Sequence, residues 1–321
     1  MERNVTELSL LLHINCNYNH FVQANRNLVL NSILYRKCEH FKNLSYPFIL
    51  KGDLKRKGAK FMFKRPDIGY LMFYEILEML VTDYYSRFKY RIYKTIPETI
   101  KYIHLLEVRY IDEYNCDIRS SIIYDKNIIL SEKEFQYIIK YKNKLYRSIE
   151  LSIRNFIVRK ISIASTVINR NIELIWDILR NLKLVHKYIN LIGNKINYDG
   201  EVLKKDAILL ILNYKDKNQF NSIAKVNRCK IAKMNLTKES IIELLFQKDE
   251  QFNNNDLKDI NSDFSISKIV IKIYEFEGKC SMYIIYYFSI VQDINKIEKF
   301  TKMKNHELNR FKQMIENYKE H

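Results

Sequence analysis

The chain has 321 residues, with 54 Lys and Arg against 37 Asp and Glu, a formal net charge of +17 at pH 7. Its 47% apolar content is enough for real hydrophobic cores, and the length suggests two domains of ordinary size. Only 6 Gly and 3 Pro argue against long irregular loops, and no apolar run approaches the roughly 18–20 residues that a membrane-spanning helix needs. The positive charge is spread over both halves with no basic tail. It would suit an anionic partner, nucleic acid or a membrane surface, and it also fits a solvated surface biased toward Lys, Asn, Ile and Tyr.

The five cysteines, Cys16, Cys38, Cys116, Cys229 and Cys280, are odd in number, widely spaced and free of any C-x-x-C pair. Zinc and dithiol redox chemistry are therefore unsupported, and buried reduced thiols in an intracellular, cytoplasmic protein are expected. Leu8–Ile14 is too short, and wrongly flanked, for a signal-peptide core.

Taken in order, Leu8–Cys16 reads as a first strand, and Asn17 or Asn19 as a helix cap. Residues His20–Phe41 carry one or two helices. Ser45–Leu54 and Gly58–Lys64 form a hairpin. Tyr70–Val81 and Phe88–Ile96 read as two further strands, the first an apolar run that would also suit a short helix. Lys101–Glu113 and Cys116–Tyr124 are another pair, their β-branched and aromatic content favouring strand over helix. Ser131 and Glu134 have the spacing of a capping box. Behind them Phe135, Ile138, Ile139, Leu145, Ile149, Ile153 and Phe156 make one helical stripe.

The second half repeats this order. Lys160–Ile168 is a strand, and Asn169 precedes a helix with Ile172, Ile175, Trp176 and Leu179 on one face. A second short helix runs through Leu184, Tyr188 and Ile189. Asn197–Leu203, Asp206–Tyr214, Asn221–Met234 and Glu239–Gln247 are strands, and the Asn-rich stretch Lys248–Asp263 is a loop. Ser267–Phe276 and Ser281–Ile290 are the last strands. From Asp293 to His321 an apolar stripe at helical period predicts one long closing helix. An offset of roughly 150–160 residues relates two copies of one plan.

Strand, two helices, six antiparallel strands and a long closing helix is the order of the START-like helix-grip superfamily, which includes birch-pollen allergens, polyketide cyclases and lipid-transfer domains. The run Ile163–Leu179, a strand, a cap and a helix with Trp176 beside Asp177, resembles the family's opening. The resemblance covers residues 160–321 by order and motif, and residues 1–159 by order alone. It implies an α+β fold of two tandem helix-grip domains, 1–159 and 160–321, each a curved antiparallel sheet wrapped around its C-terminal helix. It further implies an apolar cavity between sheet and helix and an apolar ligand, most often a lipid.

Within that picture Ile271, Ile273, Tyr283, Ile285, Phe300, Met303 and Phe311 are the candidates for a cavity wall; the same residues would serve as plain core. The basic run holding Lys55, Arg56, Lys57 and Lys60 is the candidate for phosphates of a lipid surface or RNA, and otherwise a solvated turn. His13, His104 and His186 stand alone in sequence, without the spacing of a metal or catalytic pair. No nucleophile elbow or phosphate-cradling Gly loop occurs. No cofactor or metal is expected, oligomeric state is open, and the expected activity is non-enzymatic binding or transfer. The alternative is an interaction protein with filled cores that docks an acidic partner.

Overall fold

Two long apolar stripes at helical period and two sets of seven strand-like runs require two places where a sheet can hide one face under a helix. A computed structural model describes residues 2–36, 38, 44–65, 70–96, 101–155, 157–181, 184, 195–197, 202–214, 219–234, 237–247 and 266–318. The chain divides into two compact units, Met1–Val158 and Arg159–His321.

Unit 1 runs β1 (Glu2–Ile14), α1 (Tyr18–Arg26), α2 (Leu28–Tyr35), β2 (Phe48–Lys51), β3 (Lys60–Arg65), β4 (Tyr70–Val81), β5 (Tyr85–Ile96), β6 (Tyr102–Tyr110), β7 (Cys116–Ser131) and α3 (Glu132–Arg154). Its sheet is antiparallel throughout, in the order β1-β7-β6-β5-β4-β3-β2. Unit 2 runs β8 (Ile161–Ile168), α4 (Ile172–Arg180), β9 (Lys195–Asn197), β10 (Ile208–Tyr214), β11 (Gln219–Met234), β12 (Thr237–Gln247), β13 (Ile266–Phe276), β14 (Lys279–Phe288) and α5 (Ile294–Glu316). Its sheet has the matching order β8-β14-β13-β12-β11-β10-β9. Each unit thus has a helix-grip fold, a seven-stranded antiparallel sheet with its closing helix packed on the first strand.

Short polar side chains set the helix starts. Asn17 accepts the His20 N–H, Asn27 the Leu30 N–H and Asn171 the Leu174 N–H, at 2.9–3.2 Å. Ser131 and Glu134 form the reciprocal capping box expected of them. The cap in unit 2 is Asn171 rather than Asn169, because Asn169 still follows the strand and gives its N–H to Glu316.

One further difference has a local cause. β1 begins at Glu2, ahead of the apolar run, because β7 continues to Ser131 and pairs with it as far as Glu2. A register shift between Val5 and Glu7 absorbs the mismatch. The strand expected over 197–203 is seen only as β9, and its residues 198–201 lie outside the described residues. The short helix expected through Tyr188 and Ile189, and the loop 248–263, also lie outside them.

The closing helices are tied to their first strands in the same way. Glu150 of α3 accepts the Asn15 N–H at 3.0 Å, and Glu316 of α5 accepts the Asn169 N–H at 2.9 Å. In unit 2 the Ser165 N–H also donates to Asn305 (3.0 Å), and Ser162 meets Thr301 (2.7 Å). A sheet's outermost strand leaves backbone groups unpaired, and α5 covers part of that edge. Beneath α4 and α5, Trp176, Ile269, Ile271, Ile284, Phe300, Leu308, Phe311 and Ile315 belong to one buried apolar cluster.

Candidate functional site

Successive strand residues point to opposite faces, so the even-numbered residues of β6 and β7 share the inner face of the unit 1 sheet. Tyr102, His104 and Leu106 come from β6; Ser120, Ile122 and Tyr124 come from β7. Above them α3 turns Lys142, Leu145, Tyr146 and Ile149 inward, one helical stripe at three- and four-residue steps. The sheet and the helix do not close on each other. They leave a cavity of about 490 Å3, walled also by α1, α2 and strands β3 to β5.

His104, Lys142 and Tyr146 of the cavity wall converge on the buried Ser120 hydroxyl. The Lys142 ammonium donates to Ser120 Oγ at 2.7 Å, and the Tyr146 hydroxyl donates to the same oxygen at 2.9 Å. His104 Nε2 lies 3.1 Å from it. A serine hydroxyl offers two lone pairs and one proton, so with both lone pairs taken its proton goes to His104 Nε2. His104 is then a neutral acceptor. Burial, and next the Lys142 charge, hold it well below the usual histidine range. Burial also lowers Lys142 to about 7. The Tyr90 and Tyr146 phenols are pushed up by burial and stay protonated. At the α2 side Asn31 donates to Asn25 (3.0 Å), and Tyr35 is raised to about 12 by burial.

The sequence-derived residues fall elsewhere, in unit 2, and they do not form one wall. Ile271, Ile273, Phe300 and Phe311 join the apolar cluster. Phe300 meets Tyr286 and Phe288 edge-on, at 5.1 and 5.5 Å. Tyr283 and Ile285 are buried, but strand alternation turns them to the opposite face from Met282, Ile284 and Tyr286, which enter the cluster. Met303 is 48% exposed, because the buried line of α5 runs through Ile297, Phe300, Leu308, Phe311 and Ile315 and passes beside it.

The basic run is also divided. Lys55, Arg56 and Lys57 are exposed in the β2–β3 turn, where Asp53 accepts the Lys55 N–H and lies 3.9 Å from Arg56. Lys60 is half-buried on β3, its ammonium 5.1 Å from the Tyr93 ring. His13 pairs with Asp117 at 2.9 Å, and His186 lies outside the described residues. Glu275 faces the Ile172 N–H and Lys238. All five cysteines are free thiols. Among the described residues no cluster of three His, Cys, Asp or Glu could hold a metal ion, and no helix is long and apolar enough to cross a membrane.

Sequence reasoning missed the cavity group because its members come from three separate elements, with His104 and Tyr146 42 residues apart. One signal was available. Lys142 falls in the gap between Ile139 and Leu145 of the α3 stripe, four residues after Ile138 and three before Leu145, so a lysine occupies a core-facing helical position.

The sequence matches no protein-family model and no curated protein. Among solved structures, the chain is similar to the di-domain ARO/CYC StfQ from the steffimycin biosynthetic pathway, at 5% identity and TM-score 0.39 over 96% of this chain and 97% of that one. The di-domain ARO/CYC BexL from the BE-7585A biosynthetic pathway gives 7% identity and TM-score 0.39 over 99% of both chains. A START superfamily protein from Mycobacterium smegmatis covers 46% of this chain with 97% of its own, at 5% identity and TM-score 0.36.

Proposed function

We propose that unit 1 binds a largely apolar small molecule, lipid-like or ring-bearing, between its sheet and α3, without converting it. The observation that carries this reading is the cavity of about 490 Å3 with its predominantly aromatic and aliphatic wall. Cavities of roughly 300–1,000 Å3 lined this way, with a few convergent polar groups, are the usual form of small-ligand sites. The tyrosines supply apolar ring faces and hydroxyls that burial keeps protonated, which suits contact with carbon and occasional hydrogen bonds rather than proton abstraction.

The test uses the neutral fluorophore N-phenylnaphthylamine and the full chain. The wild type is expected to bind it with enhanced fluorescence. Leu106→Trp, which puts a larger ring on the cavity wall, is expected to abolish binding with the circular dichroism spectrum unchanged. Failure of the wild type to bind, or binding indifferent to the tryptophan, would refute the proposal. Native mass spectrometry of gently purified protein then asks which molecule is carried.

A further inference from the structure

We infer that the unit 1 cavity selects apolar carboxylic acids, with the carboxylate seated against the Lys142 ammonium and the chain or ring along the tyrosine-lined wall. This rests on the binding reading above and narrows it to a ligand class.

Geometry supplies the first reason. Lys142 is 7% exposed and lines the cavity, and Ser120 Oγ is its hydrogen-bond partner among the described residues. An ammonium has three donors. Apart from His104, the other ionisable side chains of the wall are tyrosines, from α2 (Tyr35), β4 (Tyr74), β5 (Tyr90), β6 (Tyr102), β7 (Tyr124) and α3 itself. No carboxylate of the described protein stands there to neutralise the lysine, and a buried amine without a counter-charge is costly. A ligand carboxylate would supply both the charge and the missing acceptors.

The second reason is an internal control. The two units align by their strand registers: Ile14 pairs with Cys116 as Ile168 pairs with Cys280, and Glu150 holds Asn15 as Glu316 holds Asn169. Four residues beyond those cysteines stand Ser120 and Ile284. The strand registers then match His104 with Ile269, the partners of Ile122 and Tyr286. Eight residues before the glutamates stand Lys142 and Leu308. So at the positions of Ser120, His104 and Lys142, unit 2 has Ile284, Ile269 and Leu308, all fully buried in its core. The fold is satisfied by three apolar side chains there. The polar trio therefore answers something other than folding.

Titration supports the same reading. Burial holds Lys142 at about 7, so above that pH the empty site carries mostly a neutral amine. Seating a carboxylate beside it restores the proton, and binding takes up hydrogen ions.

The experiment compares dodecanoate, dodecanol and N-phenylnaphthylamine on the full chain. Displacement titrations at pH 6.5 are expected to show dodecanoate binding about tenfold or more tighter than dodecanol, the range for a charge-assisted hydrogen bond. Lys142→Met is expected to remove that preference while still binding the neutral fluorophore, which also reports that the variant is folded. Calorimetry of the wild type at pH 8.5, in buffers of different ionisation enthalpy, is expected to show uptake of about one proton per dodecanoate; this readout needs no variant. Equal affinities for acid and alcohol, or no proton uptake, would overturn the carboxylate inference and leave cavity binding standing. Absence of binding by all three probes would overturn both.

Discussion

Replacing Lys142 by Met takes one titrating group out of the interior of unit 1 and leaves a flexible apolar chain in its place. The amine titrates at about 7 in the folded protein, against an ordinary value of 10.5, with burial as the cause. The folded value lies below the unfolded one. Between about pH 7 and pH 10.5 the unfolded chain thus holds a proton that the folded protein has lost, so stability rises with pH across that window. The penalty is fully present below pH 7 and gone above 10.5. A difference of 3.5 pH units, at 1.36 kcal/mol each, sets a ceiling of about 5 kcal/mol. The assay is urea unfolding of wild type and Lys142→Met at pH 6, 8 and 10, with hydrogen exchange of α3 and β7 peptides reporting on unit 1. Comparing the two proteins at each pH cancels every other titration. The Met variant is expected to be more stable at pH 6 by about 2–5 kcal/mol, with the gap shrinking toward pH 10. Parallel stability profiles for the two proteins would refute the assignment of Lys142 as a buried amine without a counter-charge.

Truncating Phe300 to Ala should cost about 3–5 kcal/mol in urea unfolding, because its ring is buried against Tyr286 and Phe288. Met303→Ala should change stability by less than about 0.5 kcal/mol, since that side chain is half exposed. Glu150→Gln weakens both the link to Asn15 and the 2.8 Å ion pair with Arg147, and about 1–3 kcal/mol should be lost. Changing Lys55, Arg56 and Lys57 to Glu should leave probe binding intact, because all three are exposed in the β2–β3 turn. If that tip meets phosphates, the same variant loses its salt-sensitive retention on anionic vesicles; retention unchanged by the reversal removes the tip from consideration.

The fold was legible because both of its signals are local. Alternation in runs such as Phe88–Ile96 and the helical spacing of the closing helices each depend on about a dozen neighbouring residues, and β5 and α5 appear where those patterns place them, whereas the apolar run Tyr70–Val81, which would also have suited a short helix, is a strand by its pairing with β3 and β5. The caps at Asn17 and at the Ser131–Glu134 pair were legible for the same reason, while the unit 2 cap fell two residues past the expected Asn169, at Asn171. Which face of a strand looks inward is a tertiary matter. Tyr283 and Ile285 are as apolar as Ile284, and nothing within β14 says that the even-numbered set meets α5. The cavity is less legible still. His104, Ser120 and Lys142 meet only after β6, β7 and α3 have paired and docked, and alone none of them signals a site: a histidine without a companion in sequence, a serine in a strand, and a lysine in a helix with several others.

The two units show what the helix-grip plan requires and what it merely permits. The carboxylate that ties the closing helix to the first strand is present in both, as Glu150 and Glu316, and so is the buried cysteine opposite the end of that strand, Cys116 and Cys280. Those belong to the frame. The inner face then diverges. Unit 2 spends it on Ile269, Ile284 and Leu308, which bury without leaving polar atoms to satisfy. Unit 1 holds an amine, an imidazole and a hydroxyl there, and each such group costs on the order of 1–3 kcal/mol wherever its hydrogen bonds are incomplete. Ser120 offsets part of that cost by bonding the other two and Tyr146 at once, but it cannot neutralise a charge. A chain that carries an apolar solution to the same site in its own second half, and a charged one facing a cavity in its first, places its chemistry in unit 1 and its packing in unit 2.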